Sequence, residues 1–259
     1  MPDRFNVVGK IKQLLQVLVV ASLCATTSVA VGQTPIKLDS LPQPPESISK
    51  LITNGRVSFV QGQQFLSEER NRSLENLPDE LRQSLKRQYS YGESTSQRSG
   101  RLDAITAYRV EFRYAGQRTW DWDASTRRMT INMRPRLQTW NPVHTIWLRS
   151  PPKPVNFWTD RLVLHEFDHV KLSADRSMRQ RFAGILRAGA REEFQLSENQ
   201  FPSDQLADEL TNQWVQSKFR EIVELIDIRY RELDEDTLHG RRPLPADSNL
   251  IPLLRPEDQ

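Results

Sequence analysis

Two of the chain's four histidines stand four residues apart in "LHEFDH", with Glu166 directly after the first of them. On a helix, residues four apart share a face, so His165 and His169 can turn both imidazoles toward one ion. Imidazole nitrogen suits Zn2+, at bond lengths of about 2.0–2.1 Å. Glu166 sits roughly 100° further round, near enough to serve a metal-activated water without being a ligand itself. Zn2+ polarises a carbonyl and acidifies that water, while the glutamate moves the proton to a leaving amine. The chemistry expected is peptide-bond hydrolysis, with His165 and His169 as zinc ligands and Glu166 as general base.

A catalytic zinc takes three protein donors and keeps one position open. Asp175 follows His169 by six residues, but a continuous helix would carry it about 9 Å along the axis. Glu221 and Glu224 would lie level with the motif on an antiparallel second helix. They point off its apolar face, which Val215, Phe219, Ile222, Ile226 and Leu233 define. His239 comes just past the end of that helix. Asp168, between Glu166 and His169, is a candidate partner for His165.

The elements that must position these groups follow from periodicity. Trp158 to about Ala190 reads as one helix with Thr159 or Asp160 at its N-cap. Its apolar stripe is Val163, Phe167, Val170, Ala174 and Ile185, which turns the histidines outward toward a cleft. Ser203 caps a second helix running to about Leu233, and the loop "REEFQLSENQFP" joins the two as a hairpin. Before them, from Ile105, the period is two: "YRVEFRY", "TWDWD", "RRMTINM" and "VHTIWLR" predict about four antiparallel strands. Gly116 and "DAST" supply the turns, and most of the tryptophans pack in the core. Sheet first and helices after define an α+β fold.

Outside that domain the composition changes. Residues 1–32 read as a signal peptide: basic residues to Lys12, the apolar run "LLQVLVVASLCA", then small residues around Ala30. The only cysteine, Cys24, would leave with it, so no disulfide is expected. Residues 33–104 are polar and Pro/Gln/Ser-rich, as in a linker or pro-segment, with one short helix in "LPDELRQSLKRQY". Residues 105–240 form the domain and 241–259 a C-terminal tail. The net charge of +3 falls to +1 without the first 32 residues. This gives no footing for nucleic acid, and no stable membrane span is expected after cleavage. The expected location is the periplasm or outside the cell, and the expected partner a peptide or protein substrate there.

With the motif helix, the later segment "RYRELDEDTLHG" and the tryptophan-bearing strands before both, residues 105–240 resemble a bacterial family of predicted secreted zinc-dependent proteases. That family pairs a His-Glu-x-x-His helix with a downstream Asp-x-x-Thr-x-His-Gly segment. The matching positions are His165, Glu166, His169, Asp234, Thr237, His239 and Gly240. The resemblance implies a zincin-like fold and proteolysis, without a substrate, and it favours His239 as the third zinc ligand. The alternative is a non-catalytic cell-envelope binding or assembly module that holds a structural metal or none.

Overall fold

The structure, a computed structural model, describes residues 5–9, 33–62 and 103–254. They form a mixed α+β arrangement of a sheet and several helices. Two long strands, β4 (Ala104–Asp123) and β5 (Arg128–Leu148), are neighbours in the sheet. The expected strands "YRVEFRY" and "TWDWD" are thus one strand, as are "RRMTINM" and "VHTIWLR". Gly116 lies inside β4 rather than in a turn. A Cβ there would stand 2.6 Å from the Pro135 Cα, so glycine is what lets the backbones approach. "DAST" does form the turn between the strands, with Asp123 accepting from the Ser125 backbone and hydroxyl.

The chain divides into two compact units, to both of which β4, β5 and a long helix contribute. One unit comprises residues 1–17, 112–140 and 176–227. Strand β1 (Phe5–Gly9) pairs antiparallel with β4 at Arg118–Trp122, and β6 (Ala190–Gln195) pairs antiparallel with β5 at Arg128–Met133. β6 corrects the expectation of a plain loop at "REEFQLSENQFP". Its alternation is real, with Ala190, Glu192 and Phe194 half-buried and the residues between them exposed. Met129, Ile131, Met133, Phe182, Val215 and Ile226 are buried in this unit. Phe112 meets Phe182 edge-on and Phe219 at a ring distance of 4.6 Å. Buried Arg118 is satisfied by Asp204 and Asp208.

The other unit comprises residues 18–111, 141–175 and 228–259. Here residues 33–62 are not a linker. They carry β2 (Gln33–Pro35), helix α1 (Glu46–Asn54) and β3 (Val57–Gly62). β3 lies parallel to β5, Val57–Gln61 against His144–Leu148, where an antiparallel sheet was expected. Phe59 is the reason the segment folds in: its ring meets Phe157 at 5.4 Å and Phe167 at 5.8 Å. Ile48, Val57, Ile146, Leu148, Val163 and Val170 complete that core. The apolar run of the expected signal peptide and the helix expected in "LPDELRQSLKRQY" lie outside the described residues.

Helix α2 (Arg161–Ala174) carries the His-Glu-x-x-His motif. Asp160 is its N-cap, accepting from the Leu162 and Val163 amides, as the sequence predicts. The single long helix expected to reach Ala190 is instead two. Asp175 leaves the helical conformation, at φ −53 and ψ 125, and α3 (Arg176–Ala188) starts after it. Helix α4 (Asp204–Thr237) begins after Ser203, whose hydroxyl accepts the Leu206 amide, and continues one turn past Leu233. Among the described residues beyond it, Leu250 is buried and α5 (Ile251–Leu254) packs on α2. No helix among the described residues is long and apolar enough to cross a membrane.

Candidate metal centre

α2 turns its apolar stripe, Val163, Phe167 and Val170, into the core around Phe59. The motif residues occupy the remaining face, but they do not look outward onto an open cleft. His165 is 5 % exposed, Glu166 3 % and His169 3 %. What covers them is the last turns of α4 and the chain just after it. His165 Nε2 and His169 Nε2 each lie 3.1 Å from one oxygen, Asp234 Oδ1. The two rings meet at 4.8 Å and 78°. Among the described residues, His165, His169 and Asp234 are the group able to hold a metal ion together.

Asp234, not His239, is the third member of this converging group. His239 stands one step out, its side chain 62 % exposed and its Nδ1 3.5 Å from the same Asp234 oxygen. The other third-ligand candidates also go elsewhere. Asp175 pairs with Arg229 at 3.1 Å, and Glu221 takes Lys218 at 2.6 Å. Glu224 is not in the converging group. Asp168 pairs with Lys171, not with His165.

Three of the four positions of the "DEDTLHG" segment that the resemblance singled out, Asp234, Thr237 and Gly240, nonetheless gather at His165. Asp234 and Thr237 are one turn apart on α4 and so share a face. Asp234 meets Nε2 of His165, and Thr237 Oγ1 lies 3.3 Å from Nδ1. The single hydroxyl hydrogen of Thr237 goes to the Leu233 carbonyl at 2.7 Å, so toward His165 this oxygen accepts. Nδ1 of His165 then carries a proton toward Thr237, so that a metal could take Nε2. Leu238, His239 and Gly240 all take positive φ, which ends α4 and folds the backbone onto His165. A Cβ on Gly240 would stand 2.9 Å from both Cβ and Cγ of His165. Only glycine fits there.

Charge in this pocket is tightly set. Burial alone would raise the Asp234 carboxyl, but His169, His165 and His239 around it hold it far below the usual carboxylate range. The hydrogen bond to Asp234 raises His239 despite its partial burial. Burial pushes Glu166 up to about 7, against the opposing pull of His165 and of the Thr106 hydroxyl. Thr106, near the start of β4, donates to Glu166 Oε2 at 2.7 Å. A carboxylate near neutral affinity, held by one oxygen, suits proton transfer in both directions.

The three donor atoms lie within 4.8 Å of one another, close enough to share one ion. Tetrahedral zinc at about 2.0–2.1 Å from each donor separates its ligand atoms by about 3.3 Å. The two 3.1 Å separations at Asp234 Oδ1 fit that spacing. Two imidazole nitrogens aimed at one carboxylate oxygen, with a third nearby, form the kind of cluster a cation resolves. No protein-family profile matches this chain, and neither a characterised protein nor a solved structure matches it. The site therefore stands on its own geometry.

Proposed function

We propose that this chain is an exported, zinc-dependent metallopeptidase of zincin-like construction, acting on a peptide or protein substrate in the cell envelope or outside the cell. The observation that carries the reading is the convergence of His165, His169 and Asp234 beside a buried glutamate. Three donors rather than four among the described residues leave a coordination position for chemistry. This favours catalysis over the structural-metal module.

Zn2+ held there would supply Lewis acidity, polarising the scissile carbonyl and acidifying water. The rest falls to the chain. Thr106 holds Glu166 by Oε2, which leaves Oε1 to take the proton of the attacking water and return it to the leaving amine. Asp234 contributes a negative charge that its surroundings keep ionised. Thr237 holds the His165 ring at Nδ1, and the Gly240 backbone lies close against that residue. The export part of the reading rests on the N-terminal sequence pattern.

Glu166→Gln keeps size and hydrogen bonding but removes the base. Zinc content should match wild type, while hydrolysis of a mixed quenched-peptide substrate should fall by about 10²–10⁴. Equal hydrolysis by the two proteins would end the catalytic reading. A wild-type chain that holds zinc through four protein ligands and cleaves nothing would favour the structural module.

A further inference from the structure

The two ligand histidines are supported unequally. His165 is held through Nδ1 by Thr237. His169 Nδ1 is buried and has no hydrogen-bond partner among the described residues. A ligating imidazole ordinarily has its second nitrogen tied to a neighbour, which fixes the ring plane. Something else must fix this one.

The neighbour is Tyr230 on α4, whose ring lies 4.3 Å from the His169 ring at a tilt of 53°. Tyr230 is itself pinned, because its hydroxyl donates to Ser173 Oγ at 2.8 Å. Ser173 stands on α2, one turn beyond His169. Its oxygen lies 2.7 Å from His144 Nε2, and His144 Nδ1 lies 2.6 Å from the Gly55 carbonyl.

Counting hydrogens gives the chain one direction. The Gly55 carbonyl only accepts, so His144 Nδ1 carries the proton. Burial presses His144 down to about 4, so the ring is neutral and Nε2 accepts from Ser173. With its hydrogen committed, Ser173 accepts from Tyr230. The carbonyls of His169 and Val170 also lie near the Ser173 hydroxyl, at 3.1 and 3.3 Å, but His144 is closer. Ser173 is wholly buried, and its hydroxyl is committed within this chain of hydrogen bonds.

We propose that Tyr230, Ser173 and His144 form a positioning chain that fixes the His169 ring for metal binding, anchored on the backbone that follows α1. The proposal rests on the metal-centre reading. It ties the N-terminal segment to the site, because Gly55, which α1 and β3 hold in place, is the far end of a tether on a zinc ligand.

The test uses the full chain, zinc competition against a chromophoric chelator, and the visible absorption of the cobalt(II) form at saturation. Tyr230→Phe keeps the ring and removes the tether. It should weaken zinc binding by about 10- to 100-fold, the range for groups supporting a ligand, and alter the cobalt spectrum. Ser173→Ala should do the same, and the double variant should be little worse than either single one, because both cut one chain. Thr211→Val removes a buried hydroxyl that only bonds within α4. It should leave zinc affinity and the cobalt spectrum unchanged.

Wild-type zinc affinity and cobalt spectrum in folded Tyr230→Phe would overturn the proposal, and that variant decides alone if Ser173→Ala does not fold. Fully additive losses in the double variant would also overturn it. A wild-type chain that takes up neither ion removes the metal-centre reading, and the proposal with it. Tight zinc in wild type with unchanged affinity in Tyr230→Phe removes the proposal alone.

Discussion

At the scale of single residues, the centre turns on one oxygen. Asp234 Oδ1 meets two buried imidazole nitrogens at 3.1 Å and a third, exposed one at 3.5 Å. If the buried pair and Asp234 are the ligands, Asp234→Ala should abolish stoichiometric zinc. His239→Ala, Asp175→Ala, Glu221→Ala and Glu224→Ala should retain it. Metal analysis of the five purified proteins decides, and zinc lost with His239→Ala but kept with Asp234→Ala would reverse the assignment. Gly240 carries a second prediction. Alanine there must adopt φ +74 and place its Cβ 2.9 Å from the His165 ring. The strain should cost about 1–3 kcal/mol in denaturant unfolding and weaken zinc as well. A Gly240→Ala protein with wild-type stability and zinc affinity would show that His165 is not held in this way.

Among the elements, α2 works because each of its faces has an assigned neighbour. Its apolar side meets Phe59 of β3 and Trp158, and its polar side meets the end of α4. Residues 33–62 are therefore part of the site's foundation. Phe59→Ala empties a buried position between Phe157, Trp158 and Phe167. It should cost about 3–5 kcal/mol, as such truncations do in cores. Equilibrium unfolding reads this directly. A loss below about 1 kcal/mol, the size of an ordinary surface change, would mean the segment does not carry the helix. The break at Asp175 ends α2 six residues past His169, yet Asp175 is spent on Arg229 rather than on the centre.

Across the whole molecule, stability should depend on pH through His144. The folded chain holds this ring neutral down to about 4, whereas an unfolded chain protonates it near its ordinary value of 6.5. Between those values the unfolded state binds more protons, so stability rises with pH through the window. It is fully present above 6.5 and is lost as pH falls toward 4, by about 3 kcal/mol for a shift of this size. Unfolding curves of wild type and His144→Asn across that range provide the measurement. The variant should show a shallower slope, and identical slopes would remove His144 as the cause.

The sequence by itself determined what is local. Four-residue spacing put His165 and His169 on one face, Asp160 and Ser203 marked where helices start, and period-two alternation marked β4 and β5. Each is a relation among residues within a turn or two, and local backbone geometry enforces it. Tertiary structure decided which distant groups complete those faces. Asp234 lies 65 residues past His169, and nothing in local periodicity ranks its carboxylate above Glu221 or Glu224. Only the fold sets its oxygen between the two rings. His144, Ser173 and Gly55 belong to three separate parts of the chain, and a hydrogen-bonded chain through them has no sequence spacing to read. α1 and β3 were hidden because their apolar residues fall in runs too short for periodicity to single out, within a Pro/Gln/Ser-rich stretch. Phe59, Ile48 and Val57 suffice to bury the segment once a neighbouring strand and helix offer a core, and single-chain periodicity does not contain those partners.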